Sequence, residues 1–372
     1  MTRWRQWLTG GVLLLFVAAV VLRRAELSRA LDEMAGLSAG WVLALLGLVA
    51  VSMVAEGFYA SSITPGLTVG RGAMVQQAAT AANNTIIGSG PVSTGLRIAM
   101  LRSWRVPDVS VGVTVVALNV IAAYKLWAIT LVVAVVGTFG AADEVVDRRV
   151  FAVASVVAVV VIGASTVLWW GILWHPRAAV WLGERLQRPW ATLRRRVPRL
   201  PDTHLPSLAE RAGAEARQLV AQRGIRILLG SVADQMMVVA KQLAVVRAFG
   251  IDDSVVSTAQ LLIAFGLVRL AVALTPIPGG IGITEIGLAA LLSQFGGAEA
   301  SVLAAVLTYR ALTFLLPIIT GGACFAIWRW RTPHVGAGTT ASEPQLAYSL
   351  AGSGSGSAIG SSGASAGQTG RD

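Results

Sequence analysis

The sequence is poor in charged residues. Only 13% of its 372 residues are Asp, Glu, Lys or Arg, whereas 55% are hydrophobic. Soluble globular domains carry about 25% charged residues, so this composition excludes an ordinary soluble enzyme domain as the bulk of the chain. Long apolar runs contain most of the hydrophobic residues, and they predict an all-α bundle that crosses a membrane several times.

Cysteine and histidine are also scarce. The chain has one cysteine, Cys324, and its three histidines, His175, His204 and His334, lie far apart in polar connections. These residues exclude a disulfide framework, and their spacing does not predict a metal site. Because the sequence also has no nucleotide-binding motif, it predicts no metal and no cofactor.

Positive charge is abundant but uneven. The net charge is +11, and the arginines cluster between the apolar runs. Such clusters are typical of the signals that orient membrane proteins, and they argue against binding of nucleic acid. Only two residues are lysines, Lys125 and Lys241, and both fall inside apolar segments.

Eight apolar stretches predict about eight transmembrane spans. The first stretch has a basic start and no cleavage pattern after it, so we expect an uncleaved helix. The seventh is too short to cross a hydrocarbon layer of about 30 Å alone. The predicted spans are residues 8–22, 41–63, 109–139, 150–174, 225–249, 255–275, 286–295 and 301–328.

The polar segments predict the orientation and the domain boundaries. Residues 175–226 form an arginine-rich loop, which predicts a cytoplasmic location, and a short helix is expected to begin near Ser207 and end near Gln222. Arginines after the second and last spans predict that both termini are cytoplasmic, in a cell membrane. Residues 1–332 are thus predicted to form one transmembrane domain, and the Gly/Ser/Ala-rich residues 333–372 a disordered cytoplasmic tail.

The most specific feature is an interruption at residues 275–285, the second broken segment. Its helix-breaking residues are Pro276, Pro278, Gly279, Gly280 and Gly282. A non-helical backbone at membrane depth needs protein or a watery cavity to satisfy its polar groups. Thr284 is predicted to cap a half-helix that runs to Phe295, and the first N–H groups of that half-helix favour an anion.

A weaker interruption, the first broken segment, lies at residues 83–91. It contains Asn84 and Pro91, and Arg97 follows it. Interruptions at matching places suggest an internal duplication with two broken or re-entrant segments, and they point to the binding site of a transporter. The alternative is that both segments are ordinary cytoplasmic loops.

Several ionisable residues lie within or beside the predicted spans, where each costs about 2.5–3.5 kcal/mol. They are Glu56, Lys125, Asp234, Lys241, Arg269, Glu285 and Arg310. Asp234 and Lys241 are seven residues apart and share a helix face, so they are expected either to neutralise each other or to face a ligand. Positive groups exceed negative ones in this set, and an anionic headgroup would balance the excess.

The second broken segment resembles a family signature. The run from Pro276 to Gly282, with Glu285 three places on, is similar to the signature of the lysylphosphatidylglycerol synthase transmembrane family. These flippase-like proteins include the membrane half of multiple peptide resistance factor, and the resemblance covers roughly residues 8–330. The first broken segment is similar to the family's stretch through Asn84, Pro91, Gly95 and Arg97, but Leu96 stands where an acidic residue is expected. The resemblance implies translocation or related handling of lipids.

These features together predict a translocator of a lipid or lipid-linked headgroup, with an anionic phospholipid or a polyprenyl phosphate as substrate. The predicted binding residues are Glu56, Asn84, Pro91, Arg97, Lys125, Asp234, Lys241, Pro276, Pro278, Gly279, Gly280, Gly282, Glu285 and Arg310. Membrane lipids are the expected partners, besides a second copy of the chain or a protein of envelope biosynthesis. Two alternatives stay open: a non-transporting accessory protein of envelope lipid or glycan assembly, and a membrane transferase that modifies lipids.

Overall fold

The structure is a computed structural model. It describes residues 24–86, 90–139, 148–175, 180–181, 183–185, 187–189, 191–192, 205–275 and 277–332. The described residues form helices and turns and no strand, which confirms the all-α prediction. The chain divides into two units, Met1–Arg331 and Thr332–Asp372. The first predicted span and the predicted disordered tail lie outside the described residues.

The described residues include ten helices of at least 12 residues, and five of them are long and apolar enough to cross a membrane. In chain order they are α1 (Arg24–Ala35), α2 (Ala39–Ile63), α3 (Val69–Thr85), α4 (Gly90–Ser103), α5 (Asp108–Phe139), α6 (Arg148–Trp174), α7 (Leu205–Ala248), α8 (Thr258–Ala273), α9 (Ile283–Gln294) and α10 (Glu299–Arg331). The five of crossing length are α2, α5, α6, α7 and α10. One turn inside α10, Ala311–Leu315, is π-helical.

Four of the predicted spans coincide with α2, α5, α6 and α10 to within three residues at each end. The beginning of α2 shows why, because Ser38 caps it and its hydroxyl accepts a hydrogen bond from the Trp41 N–H at 3.4 Å. An N-cap of this kind satisfies one of the free donors in the first turn and fixes where the helix starts. Composition and local capping thus define these helices.

The prediction for the central loop is partly wrong. The helix expected near Ser207 is not separate from the following span, since α7 runs without a break for 44 residues. The intervening sequence has only Gly224 as a poor helix former, and a single glycine costs about 1 kcal/mol, which a long helix tolerates. At 1.5 Å per residue α7 is about 66 Å long, so it extends well beyond a bilayer core.

Besides α1, four helices are too short to cross. They are α3 with 17 residues, α4 with 14, α8 with 16 and α9 with 12. Their lengths of about 18–26 Å fall short of a core of about 30 Å. The first broken segment separates α3 from α4 and the second separates α8 from α9, which is the geometry of the re-entrant segments predicted. The predicted spans at residues 255–275 and 286–295 correspond to α8 and α9.

The helices pack as two halves that exchange partners. In each half a long helix leads into a broken pair and a second long helix follows: α2 to α5 in the first half and α7 to α10 in the second. Helix α3 packs against α10 of the other half, α8 packs against α5 of the other half, and α2 packs against α7. This reciprocal pattern supports the internal duplication suggested by the sequence.

Two glycines allow α3 to lie deep between its neighbours. A Cβ at Gly57 of α2 would overlap the Val69 carbonyl oxygen, and a Cβ at Gly321 of α10 would overlap the Gln77 carbonyl oxygen. Small residues at such contacts let helix backbones approach closely, as membrane helices commonly do. The side chains of α3 are therefore held against α2 and α10, so α3 is not an ordinary cytoplasmic loop.

Candidate functional site

A polar cavity of about 480 Å³ lies inside the bundle, lined by residues of α2, α3, α7, α8, α9, α10 and the second broken segment. Its charged lining residues are Glu56, Asp234, Lys241, Arg269 and Arg310. Uncharged polar residues in its wall include Gln77, Asn84, Tyr309 and Thr320. The structure thus brings predicted site residues from both halves of the chain to one place.

Glycine sets the shape of the second broken segment. Gly279, Gly280 and Gly282 all have positive φ, at 58°, 63° and 85°, a conformation that residues with a side chain rarely adopt. A Cβ at Gly279 would also overlap the ring of Phe314 on α10. The backbone consequently turns sharply against α10, and Gly279 forms part of the cavity wall.

An ionic network fixes this turn. Arg310 Nε donates to Glu285 Oε1 at 2.6 Å, and Arg310 Nη1 donates to the Gly279 carbonyl oxygen at 2.9 Å. Glu285 Oε2 accepts from the Gly282 N–H at 2.7 Å. The prediction that Thr284 caps α9 is therefore wrong: Gly282 is the N-cap, and the Glu285 carboxylate satisfies its donor.

Asn84 connects the two broken segments. Its Nδ2 donates to the Phe314 carbonyl oxygen of α10 at 3.3 Å, and its Oδ1 lies 3.5 Å from the position that a Cβ on Gly279 would occupy. Phe314 belongs to the π-helical turn, where the usual i to i−4 hydrogen bonds are displaced. The end of α3, the turn of α10 and the second broken segment therefore meet at the cavity.

Asp234 and Lys241 share a face of α7 as predicted and both line the cavity, and of the two alternatives for them mutual neutralisation is not observed. Asp234 Oδ2 accepts from Lys125 Nζ of α5 at 2.6 Å, and both side chains are largely buried, with 17% and 12% exposed. Lys125 also lies 3.8 Å from the ring centroid of Tyr59, a cation–π contact. Lys241 instead donates to Ser52 Oγ at 2.7 Å. The neighbouring helices, rather than the helix face alone, decide the pairing.

Glu56 is held by a neutral partner. Gln77 Nε2 donates to Glu56 Oε2 at 2.8 Å, and the hydroxyl of Thr320 donates to Gln77 Oε1 at 2.8 Å. This chain joins α2, α3 and α10. Among the described residues Glu56 makes no ion pair.

The other predicted residues lie outside the cavity wall or outside the described part. Pro91 is exposed in the first turn of α4. Arg97, further along α4, is half-buried, and its Nε has no hydrogen-bond partner among the described residues. Pro276 lies outside the described residues. Pro278 and Gly280 belong to the turn itself, where Pro278 begins a single 3-10 turn that ends at Gly280.

Sequence reasoning missed several members of the site. Arg269 was noted at the end of a span but not assigned to the site, and it lines the cavity without an ion pair among the described residues. Gln77 and Thr320, which support Glu56, were not considered. One signal was available: α3 is rich in amides and hydroxyls for a membrane segment. These residues are Gln76, Gln77, Thr80, Asn83, Asn84 and Thr85.

Comparison with known proteins agrees with this architecture. Searches of curated proteins and of solved structures gave no match. A family described as "Lysylphosphatidylglycerol synthase TM region" matches residues 7–321, most of the chain and all of the helices that surround the cavity except the end of α10. The family consists of membrane domains related to the handling of lipid headgroups. This multi-pass membrane protein belongs to the lysylphosphatidylglycerol synthase transmembrane family.

Proposed function

We propose that the chain moves lipids with an anionic, phosphate-bearing headgroup between the leaflets of the cell membrane. One observation carries the proposal: a polar cavity lies inside the bundle, at the place where the two broken segments meet. Charged groups at such a depth are costly and usually mark the path of a substrate or ion. Anionic phospholipids and polyprenyl phosphates share the phosphate that this cavity would bind.

The size of the cavity supports a headgroup rather than a whole lipid. Its volume of about 480 Å³ falls within the range of about 300–1,000 Å³ typical of small-molecule sites. Acyl chains can stay in the bilayer, because the outer faces of the long helices are apolar. Val153, Val160 and Val167 of α6, for example, are all more than half exposed.

The charge distribution favours phosphate at two particular side chains. Arg310 and Lys125 are engaged by Glu285 and Asp234, respectively. Lys241 and Arg269 line the cavity, as Lys125 does not, and make no ion pair among the described residues. Arginine binds phosphate as a planar fork and lysine as a point charge, so these two cations are the proposed phosphate ligands.

The proposed topology gives access from both sides. If the first predicted span and the five long helices cross, both termini lie in the cytoplasm, and the two broken pairs enter from opposite faces. Transporters with inverted repeats place their substrate sites between discontinuous helices of this kind. A Ser254→Cys variant in a Cys324→Ala background should react with an impermeant maleimide from outside intact cells. Absence of that reaction, with labelling after permeabilisation, would contradict the orientation.

Lipid movement can be measured directly. Purified full-length protein in liposomes should speed the inward and outward movement of fluorescent phosphatidylglycerol, read by dithionite quenching, more than that of fluorescent phosphatidylcholine. Lys241→Gln and Arg269→Gln should each lower the rate about tenfold, because a charged hydrogen bond contributes about 1.5 kcal/mol or more. Arg331→Gln, an exposed arginine at the end of α10, is the matched control and should leave the rate unchanged.

Two results would refute the proposal. One is that the wild-type protein moves no anionic lipid faster than empty liposomes do. The other is that the Lys241 and Arg269 variants are as active as the Arg331 control. In the second case lipid movement would not depend on the cations of the cavity, and the headgroup would have to pass elsewhere.

A further inference from the structure

Glu56 differs from Asp234, which also lines the cavity, and from Glu285, which contacts the cavity residue Arg310. Asp234 and Glu285 each form an ion pair of 2.6 Å, whereas Glu56 makes none among the described residues. Only one of its oxygens, Oε2, has a hydrogen-bond partner, and that partner is the neutral amide of Gln77. Glu56 lines the cavity, and its second oxygen has no hydrogen-bond partner among the described residues.

The charges that face Glu56 come from two helices. Helix α7 contributes Lys241 and Asp234, and α5 contributes Lys125. Lys125 and Asp234 neutralise each other, which leaves Lys241 as the cation that balances Glu56. The groups that α3 and α10 present to it, Gln77 and Thr320, are neutral. Arg269 of α8 and Arg310 of α10 complete the charged lining of the cavity.

Lys241 and Glu56 are close neighbours without direct contact. The Lys241 ammonium donates to Ser52, which lies one helical turn before Glu56 on α2, at 2.7 Å. No ion pair joins Lys241 to Glu56, so the two charges face the cavity separately. A ligand can therefore bind the ammonium without first displacing the carboxylate.

Binding of a phosphate changes this balance. Once a phosphate binds Lys241, the ammonium lies closer to the phosphate than to Glu56, and it compensates the charge of Glu56 less. A carboxylate in a bilayer-enclosed cavity without a countercharge is costly, and it relieves the cost by taking up a proton. Uptake of the proton and binding of the anion then favour each other equally, because coupling between two sites is reciprocal.

We propose that Glu56 is a proton-binding site that couples movement of the anionic headgroup to movement of H⁺. The proton comes from water on the side where the headgroup enters, forms an O–H bond on Glu56 and returns to water on the side where the headgroup leaves. No other bond is made or broken, and one negative charge on the headgroup travels with one positive charge. This inference rests on the proposed function, since it assumes that an anionic headgroup enters the cavity.

Proton uptake can be measured without transport. Adding short-chain phosphatidylglycerol to the purified full-length protein in weakly buffered detergent should remove up to about one proton per chain from solution, read with a pH-sensitive dye. Glu56→Gln should abolish the uptake, although it should still bind the lipid. Glu299→Gln, which changes an exposed carboxylate in the first turn of α10, should behave like the wild type. Lipid binding by the wild type without proton uptake would overturn the inference.

Transport separates this inference from the proposed function. In liposomes, a gradient of about one pH unit should drive phosphatidylglycerol toward the alkaline side and enrich it there by up to about tenfold. Glu56→Gln should lose the response to the gradient, whereas Glu299→Gln should keep it. If the lipid moves but ignores the gradient, proton coupling is wrong and the proposed function stands. If no anionic lipid moves at all, the proposed function itself fails.

Discussion

The two broken segments occupy matching places in the two halves, but different chemistry holds them. The second, between α8 and α9, is fixed by an ionic network in which Arg310 contacts Glu285 and the Gly279 carbonyl oxygen. The first, between α3 and α4, is connected to α10 by the neutral amide of Asn84. The nearest cation on its own helix pair, Arg97, has a buried Nε without a partner among the described residues.

The polar contacts that hold the two segments therefore differ in strength. Charged hydrogen bonds are roughly twice as strong as neutral ones, and a neutral one such as that of Asn84 contributes about 1 kcal/mol. We expect stability to depend more on the polar side chains around the second segment than on Asn84.

The largest effect is expected when one partner of the ionic network is removed. Glu285→Ala leaves Arg310, whose side chain is only 13% exposed, without its countercharge. Loss of one partner of a buried pair costs about 3–5 kcal/mol, so the variant should be strongly destabilised or fail to accumulate. Thermal unfolding in detergent, monitored by size-exclusion chromatography of a fluorescent fusion, measures this. Asn84→Ala, the corresponding change at the first segment, should cost only about 1 kcal/mol.

A double variant is the control for this experiment. Changing Glu285 and Arg310 together to Gln and Leu removes both charges, and it should be more stable than Glu285→Ala alone because no unpaired ion is left in the bundle. Equal stability of Glu285→Ala and Asn84→Ala would contradict the contrast between an ionic and a neutral contact.

An effect of intermediate size on stability is expected when a glycine of either broken segment is replaced by alanine. Gly279→Ala places a side chain at φ 58° and against the ring of Phe314, whereas the corresponding change at the first segment, Gly90→Ala, meets no atom within 4 Å. The left-handed conformation alone costs about 1–2 kcal/mol for a residue with a Cβ. Gly279→Ala should therefore unfold at a clearly lower temperature than the wild type, and Gly90→Ala should not. A similar loss in both variants would mean that the two turns are equally constrained.

The sequence predicted the parts of this architecture that depend on residues close together along the chain. Spans follow from length and hydropathy, and the broken segments follow from the chemistry of proline and glycine. It did not predict the pairing of charges, since Lys125 and Asp234 are 109 residues apart and meet only because α5 packs against α7. Composition contains no information on which helices become neighbours.

The first broken segment shows a second limit. The arginines around it, such as Arg71 and Arg97, are typical of a cytoplasmic loop, whereas the deep position of α3 depends on close backbone contacts at Gly57 and Gly321 on other helices. The site residue Gln77 is fixed by Thr320, which follows it by 243 residues. Neutral amides inside helices are common, so Gln77 could be recognised as part of the site only when Glu56 was seen beside it.

The smallest effect on stability is expected from substitutions just before the first helix of each broken pair, α3 or α8. Before α8, Asp253 Oδ1 accepts hydrogen bonds from the Thr258 hydroxyl, from the Thr258 N–H and from Arg247. These contacts lower the pKa of the Asp253 carboxyl below its ordinary value of 3.8, and the hydrogen bond from the Thr258 hydroxyl contributes most. Before α3, the cap is Thr68, whose neutral hydroxyl accepts from the Arg71 N–H. The cap of α8, Ser257, is neutral as well, so the second half differs by the added ionised group beside its cap.

This difference gives a pH test. A carboxyl with a lowered folded-state pKa stabilises the fold above its unfolded pKa, and that stabilisation is lost as the pH falls through the folded-state value. Asp253→Asn should thus lower the melting temperature slightly at pH 7 and have progressively less effect toward acid pH. Thr68→Ala should have an effect that does not change with pH, because its cap does not titrate. If both effects were independent of pH, Asp253 would not fix the start of α8 through its charge, and the two halves would differ only at the broken segments themselves.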